Sequence, residues 1–327
     1  SLQDALSLAF CIGFGLAKLP AVRVTSSERF LRHRCAMLSM FVALTPACST
    51  LPLALGLDSG AVVAGVFLGM MPSSWFYGSL VTYLEGRRAT EMLLAWVSLS
   101  VTFGGSASRG IAAAVLAAGM PAHVMPLAIA GVVLLPALSL LRVLDRSPPP
   151  TCADEAQRRP RTAMTGAQQR AFVRAYWPGV LLLVLGNTLL QALRQFRDLF
   201  SRELVMAANG GLTPPSWVFA ILDLPGGLLG LACVMSFGRF ENNATALLVM
   251  IVVMMLAASE LVISTLAFRS GVFGGILWQV FLGAGILVPH CLMCGSPVFD
   301  RLVSASEANG ATSTFLIFAS DLCGYVG

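Results

Sequence analysis

Charge is what this sequence has least of. Asp, Glu, Lys and Arg together make up 11% of its 327 residues, about half their share in an average soluble domain. That shortage excludes an ordinary water-facing surface, and the 57% hydrophobic share places the chain in lipid. Histidine is scarcer still, and the three present, His33, His123 and His290, lie far apart in the sequence. No His-Glu-x-x-His run, no nucleophile with a base at useful spacing and no glycine loop followed by Lys-Ser or Lys-Thr occurs. An intramembrane enzyme and an ATP-driven pump therefore both lack the groups their chemistry needs. We expect no catalytic residue, no cofactor and no nucleic-acid partner. A disulfide framework is missing as well, because Cys11, Cys48, Cys233, Cys291, Cys294 and Cys323 sit within apolar runs, where cysteine acts as a small hydrophobe. His290 ahead of Cys291-Leu-Met-Cys294 has metal-like spacing but no fourth ligand, so helix packing is the expectation and no metal is assigned. No basic region precedes the first apolar run, and the last run is short of a full span, so sequence is expected to be missing at both ends.

What the chain has in abundance is apolar runs of helix length. We read ten, at 2–19, 36–57, 60–84, 91–118, 122–143, 177–200, 214–237, 244–268, 271–294 and 311–327; a membrane helix needs about 20 residues. Between the fifth and sixth, 145–176 is polar, Pro-rich and basic, and reads as an extended linker. It divides the chain into a half at 1–144 and a half at 177–327. Sixteen of the 21 Lys and Arg residues fall on one face, among them Lys18, Arg23, Arg29, Arg32 and Arg34 after the first segment and seven in and beside the linker. Only Arg202 and Arg269 fall on the other, while Arg109, Arg194 and Arg197 stay inside segments. Bases near span ends favour the cytoplasm, so the linker is expected there and the bilayer is the first partner.

The runs Tyr83-Leu-Glu-Gly-Arg-Arg88 with Thr90-Glu91, Arg194-Gln-Phe-Arg-Asp198, Phe299-Asp-Arg-Leu302 and Gly324-Tyr325 carry a resemblance. They resemble a largely uncharacterised bacterial family, a domain of unknown function, of major-facilitator-like multi-pass membrane proteins, and the match covers nearly the whole chain. The resemblance implies an all-α membrane bundle in which the ten segments are the second to eleventh of twelve helices, and a bacterial inner membrane. Five segments, a basic linker and five more fit that arrangement, whose halves are parallel repeats. Gly78-Ser79 leading to Glu85 and Arg87, and Gly295-Ser296 leading to Asp300 and Arg301, form a faint internal repeat. The usual Asp of the first cytoplasmic turn is absent after Gly15. Glu85, Arg87, Arg88, Asp300 and Arg301 are the expected replacement as a cytoplasmic gate, with solvated helix ends as the plainer alternative.

Charges inside the segments mark the expected site. Asn187, Gln191, Arg194, Arg197 and Asp198 recur every three or four residues, on one helix face. Ser98, Thr102, Gly105, Ser106 and Arg109 repeat the pattern. By helical rise Arg194 lies roughly 9 Å below the outer end of its segment, and Arg109, Asp223 and Glu260 roughly 12–13 Å below theirs. Arg197 and Asp198, nearer the surface, can also be read as snorkelling charges. Aligned on the major facilitator arrangement, the seventh helix lines the cavity and the fifth meets the eighth. The alignment implies substrate binding by Arg194, Gln191, Asn187 and Arg197, and an Arg109–Asp223 ion pair between the halves, fixed or switching. Asp321 becomes a candidate proton carrier; Glu260 is a coupling or a structural residue. Gly65, Gly69, Gly226, Gly227, Gly230, Gly283 and Gly285 are expected to let helices approach closely. The function expected is secondary active transport of a small polar or anionic solute, with protons as the candidate coupling ion. The alternative is a transporter-like protein that no longer transports and acts as a sensor or scaffold.

Overall fold

The computed structural model describes residues 2–25, 30, 32–84, 90–148, 166–294, 297–306 and 314–326. Among them the regular elements are helices: α1 Leu2–Leu16, α2 Lys18–Thr25, α3 Arg34–Ala54, α4 Ser59–Leu84, α5 Thr90–Ala117, α6 Met125–Asp145, α7 Gly166–Leu199, α8 Ser201–Ala208, α9 Ser216–Ile221, α10 Leu224–Phe237, α11 Asn243–Arg269, α12 Gly275–Cys294, α13 Pro297–Ser304 and α14 Thr314–Val326. Among the described residues eight stretches are long and apolar enough to cross a membrane, which makes the chain an integral membrane protein. The segments expected at 91–118 and 311–327 are not among the eight. The first corresponds to α5, whose 28 residues suffice in length but several of whose side chains lie outside the described residues, so it is neither counted nor excluded as a span. The second corresponds to α14, of which 13 helical residues are described; 311–313 and 327 lie outside the described residues, so it too is neither counted nor excluded.

Proline decides where the long helices bend. In α7 the backbone of Tyr176 leaves helical angles, at φ −116° and ψ 18°, two residues before Pro178; a proline supplies no N–H and crowds the carbonyl four residues back. Pro20 has the same effect on the first span, which breaks at Ala17 between α1 and α2. Pro225 interrupts the span 216–237, so that α9 ends at Ile221 and Asp223 occupies the position just ahead of α10. The linker differs from the extended stretch expected over 145–176: α7 already begins at Gly166, because Ala167-Gln-Gln-Arg-Ala171 are good helix formers with no proline among them. Residues 149–165 lie outside the described residues.

The chain resolves into two compact units, one of residues 1–88, 112–158 and 321–327, the other of 89–111 and 159–320. In the first, α3 packs on α4 through Gly65 and Gly69, as the Gly-x-x-x-Gly spacing anticipates: a Cβ at Gly65 would stand 2.5 Å from the Cys48 carbonyl oxygen, and one at Gly69 2.8 Å from that of Thr45. Phe30, Leu38, Phe41, Tyr83 and Leu141 form its core. In the second, α12 is the central element. Its apolar window is 61% buried, against 11% for α11, and α10, α11 and α7 all pack on it. Phe172, Met250, Leu292, Phe299 and Leu316 lie in the core of this unit.

Helix α7 is inside out by soluble standards. Leu182 and Leu189 are each 70% exposed, while Asn187 and Gln191 are 1% exposed. Lipid is as apolar as leucine, so leucines face outward at no cost and the polar stripe turns to the protein. That orientation delivers the end of the stripe to the site.

Candidate functional site

Five charges in the second unit form one alternating chain. Arg194 meets Asp198 at 3.5 Å, and Asp198 meets Arg109 at 2.9 Å. Arg109 also reaches Asp223, and Asp223 is held by Arg197. The order is cation, anion, cation, anion, cation. Each carboxylate gives one oxygen to each of two arginines: Asp198 to Arg109 and Arg194, Asp223 to Arg109 and Arg197. Ser106, fully buried one turn before Arg109, donates to Asp223 and accepts from Arg109 Nη2 at 3.1 Å. At the two ends, Arg194 donates from Nη1 to His290 Nε2, and Arg197 donates from Nη2 to the Gln279 carbonyl oxygen at 3.2 Å.

The backbone explains the arrangement. Arg194, Arg197 and Asp198 share a face of α7 through i, i+3 and i, i+4 spacing. Asp223 stands at the break made by Pro225, where the free amides opening α10 favour a negative charge. Small residues bring the other elements in. A Cβ at Gly110 of α5 would stand 2.9 Å from Ala220 Cβ, and one at Gly226 would stand 2.7 Å from Ala284 Cα on α12. Gly283 serves the close approach expected of it, with the Leu222 carbonyl oxygen 3.3 Å from a Cβ placed there, and its bare face also receives Arg197, whose Nη2 would be 2.9 Å from that Cβ.

The structure thus joins Arg109, Arg194, Arg197 and Asp223. Arg109 and Asp223, expected to pair between the two sequence halves, pair within one compact unit. Asn187 lies apart from the charges and donates to the hydroxyl of Ser320 at 2.8 Å and to its carbonyl at 3.3 Å. Gln191 is buried on the same face. Glu260 stays outside the charge chain: its two carboxyl oxygens are buried without a hydrogen-bond partner, with Oε2 against the bare face of Gly285. The neighbouring Ser264 hydroxyl donates instead to the Leu261 carbonyl, at 3.3 Å. Asp321 sits in the first unit, 3.2 Å from Lys18 Nζ. Among the gate residues, Arg301 donates to the Phe237 and Phe240 carbonyls and to Asn243 Oδ1 at 3.1, 3.2 and 2.6 Å, closing the turn between α10 and α11. Asp300, one residue before it, opens α13 with Pro297 and is half-buried. Glu85, Arg87 and Arg88, like Gly295 and Ser296 of the internal repeat, lie outside the described residues, as do the side chains of Ser98 and Thr102.

Several participants escaped the sequence reading. Asp198 bridges two arginines, where depth alone leaves it a surface charge. His290 is the partner of Arg194; the signal was a lone imidazole inside the apolar run Ile286-Leu-Val-Pro-His-Cys291. Lys18 was counted with the cytoplasmic bases, yet it is 6% exposed and paired with Asp321. Its position two residues before Pro20 was the available clue. Among the described residues no group of three or more His, Cys, Asp or Glu side chains stands close enough to hold a metal.

Over residues 1–327 the chain matches the Family of unknown function (DUF5690), and it belongs to that family. No curated protein matches it.

Proposed function

We propose that this member of the family is a secondary transporter that moves a small polar or anionic solute by alternating access. The observation that carries the reading is the chain of five charges from Arg194 to Arg197, set among membrane-spanning helices. Replacing a buried ion pair by well-packed apolar residues is often neutral or stabilising, by about 1–4 kcal/mol. Stability alone therefore gives little reason for five charges in a lipid-embedded bundle, whereas ionisable groups at such depth commonly line solute and ion paths. Asp223 at the break of an interrupted span adds to this, since discontinuous helices frame the binding sites of many transporters. In the same reading the bundle is major-facilitator-like, the membrane is a bacterial inner membrane, and 145–176 faces the cytoplasm. Protons are the candidate coupling ion, with Asp321 and Glu260 as their candidate carriers.

A second reading, a sensor or scaffold without transport, draws support from the closure of the network, in which both oxygens of each carboxylate are already engaged. A ligand screen on the purified protein separates the two. A solute that binds the folded state raises its stability by about 2.7 kcal/mol at a hundred times its Kd. A transporter yields at least one stabilising small solute that is also taken up by reconstituted vesicles; a scaffold yields none that is taken up.

A further inference from the structure

We infer that Glu260 is a proton-binding site that holds its proton at neutral pH, and that Asp321, the other candidate carrier, is a fixed anion. The use of Glu260 as a coupling carrier rests on the transport reading; the presence of its proton does not.

Glu260 lies on the face of α11 that packs on α12, between the buried Ala257 and Ser264. Both of its carboxyl oxygens are buried without a hydrogen-bond partner, and their surroundings are short of donors. The hydroxyls nearest in sequence are already committed. Ser259 donates to the Met255 carbonyl at 2.9 Å, while Ser264 and Thr265 donate to that of Leu261 at 3.3 and 2.7 Å. Across the helix contact, Oε2 meets the bare face of Gly285, with the Leu261 side chain beside it. A helix interior uses its N–H groups on its own carbonyls, whose second lone pairs remain as acceptors. The neighbours are therefore apolar groups or acceptors. An ionised carboxylate only accepts, so nothing there answers it, whereas the protonated acid carries an O–H and needs a single acceptor. A buried carboxyl without donors or a cation neutralises and does not keep its charge in a lipid-embedded bundle.

Other titratable groups on the packed elements stand away from it. On α12, residues 281–289 carry none, and His290 beyond them turns to Arg194. On α13, Arg301 holds Asn243 Oδ1 at the opposite end of α11, with Asp300 next to it. On α11 itself, Arg269 lies roughly 13 Å further along by helical rise. Asp321 differs, since Lys18 Nζ at 3.2 Å balances its charge without a proton. Glu260 is also placed to act on the charge chain. Gly283 receives Arg197 and Gly285 receives Glu260, and helix positions two apart point about 200° apart. The proton site and the Arg197 end of the chain thus stand on opposite faces of α12, each against bare glycine. Release of the proton sets a carboxylate across one helix from the Arg197 guanidinium, which gives it an electrostatic route to the solute site.

The test is infrared spectroscopy of the purified full chain in an ester-free detergent and a sodium-free buffer at neutral pH. Exposed carboxyls are ionised there, and only a sheltered carboxylic acid shows the high-frequency C=O stretch. The band is expected in the unaltered protein, lost in Glu260→Gln and kept in Asp321→Asn. A second measurement needs no variant: carbon-13 in the glutamate carboxyls of the unaltered protein should move the band to lower frequency. Absence of the band, its persistence in Glu260→Gln, its loss in Asp321→Asn, or a band unmoved by the glutamate label overturns the inference. Disappearance of the band on adding sodium chloride also overturns it, because the site then takes a metal cation in place of a proton. Uptake by reconstituted vesicles from a defined mixture of small carboxylates, amino acids and neutral polyols is measured separately. The expected band without any uptake upholds the proton site while transport fails. Uptake without the band upholds transport and overturns the proton site.

Discussion

Asp223 and Arg109 are direct partners, yet their losses should differ. Asp223 is 2% exposed and answers two guanidiniums, so Asp223→Ala strands two charges, and we expect a loss of about 3–5 kcal/mol. The Arg109 side chain is 22% exposed, and without it Asp223 keeps Arg197, so Arg109→Ala should cost clearly less. The difference is read from unfolding in detergent; equal losses would contradict the alternating chain. The exchange Arg109→Asp with Asp223→Arg should not rescue either single change. An acid at position 109 would face Asp198, and a base at 223 would face Arg197. Recovery by that double exchange would show a simple isolated pair. Arg194→Lys keeps the charge but loses the fork that reaches Asp198 and His290 together. It should leave a folded protein with weakened ligand binding, measured on the preparation used for the stability scan.

Among the elements, the contact of α10 with α12 is sensitive to volume. Gly226→Ala would set a methyl 2.7–2.9 Å from Ala284 Cα, Ala284 N and the Gly283 carbonyl oxygen, all backbone atoms. Neither helix can yield by turning a side chain, so the expected cost is about 1–3 kcal/mol, seen as a lower Tm. Gly104→Ala, with nothing within 4 Å, is the matched control and should leave Tm near that of the unaltered protein. The element scale also separates what could be read from the sequence from what could not. The apolar runs, the Gly65-x-x-x-Gly69 contact and the inward polar face of α7 were legible, because each is a property of one helix and its period. The start of α7 at Gly166 was hidden by the basic, Pro-rich character of the residues before it. Asp198 and His290 were hidden for a different reason. Which charge meets which is set by contacts between α5, α7, α10 and α12, and spacing along one helix carries no information about them.

At the scale of the whole molecule, the proposed orientation rests on the distribution of bases. The proposed topology, in which most bases are assigned from the sequence to one face, predicts that single cysteines placed in 145–176 are labelled only from the cytoplasmic side, and one at 119–121 only from outside. Labelling of the central linker in intact cells would reverse the assigned topology. Arg301 bears on the same scale, since it closes the α10–α11 turn by donating to two carbonyls and needs no acidic partner for that task. The measurement that most directly tests the account is solute uptake by the reconstituted chain. Vesicles with the protein, with its Asp223→Asn variant and with no protein are incubated in a defined mixture of small carboxylates, amino acids and neutral polyols, washed, and their contents identified by mass spectrometry. The account predicts that at least one small polar or anionic solute is retained by the unaltered protein's vesicles above both controls; identical contents in all three would contradict it.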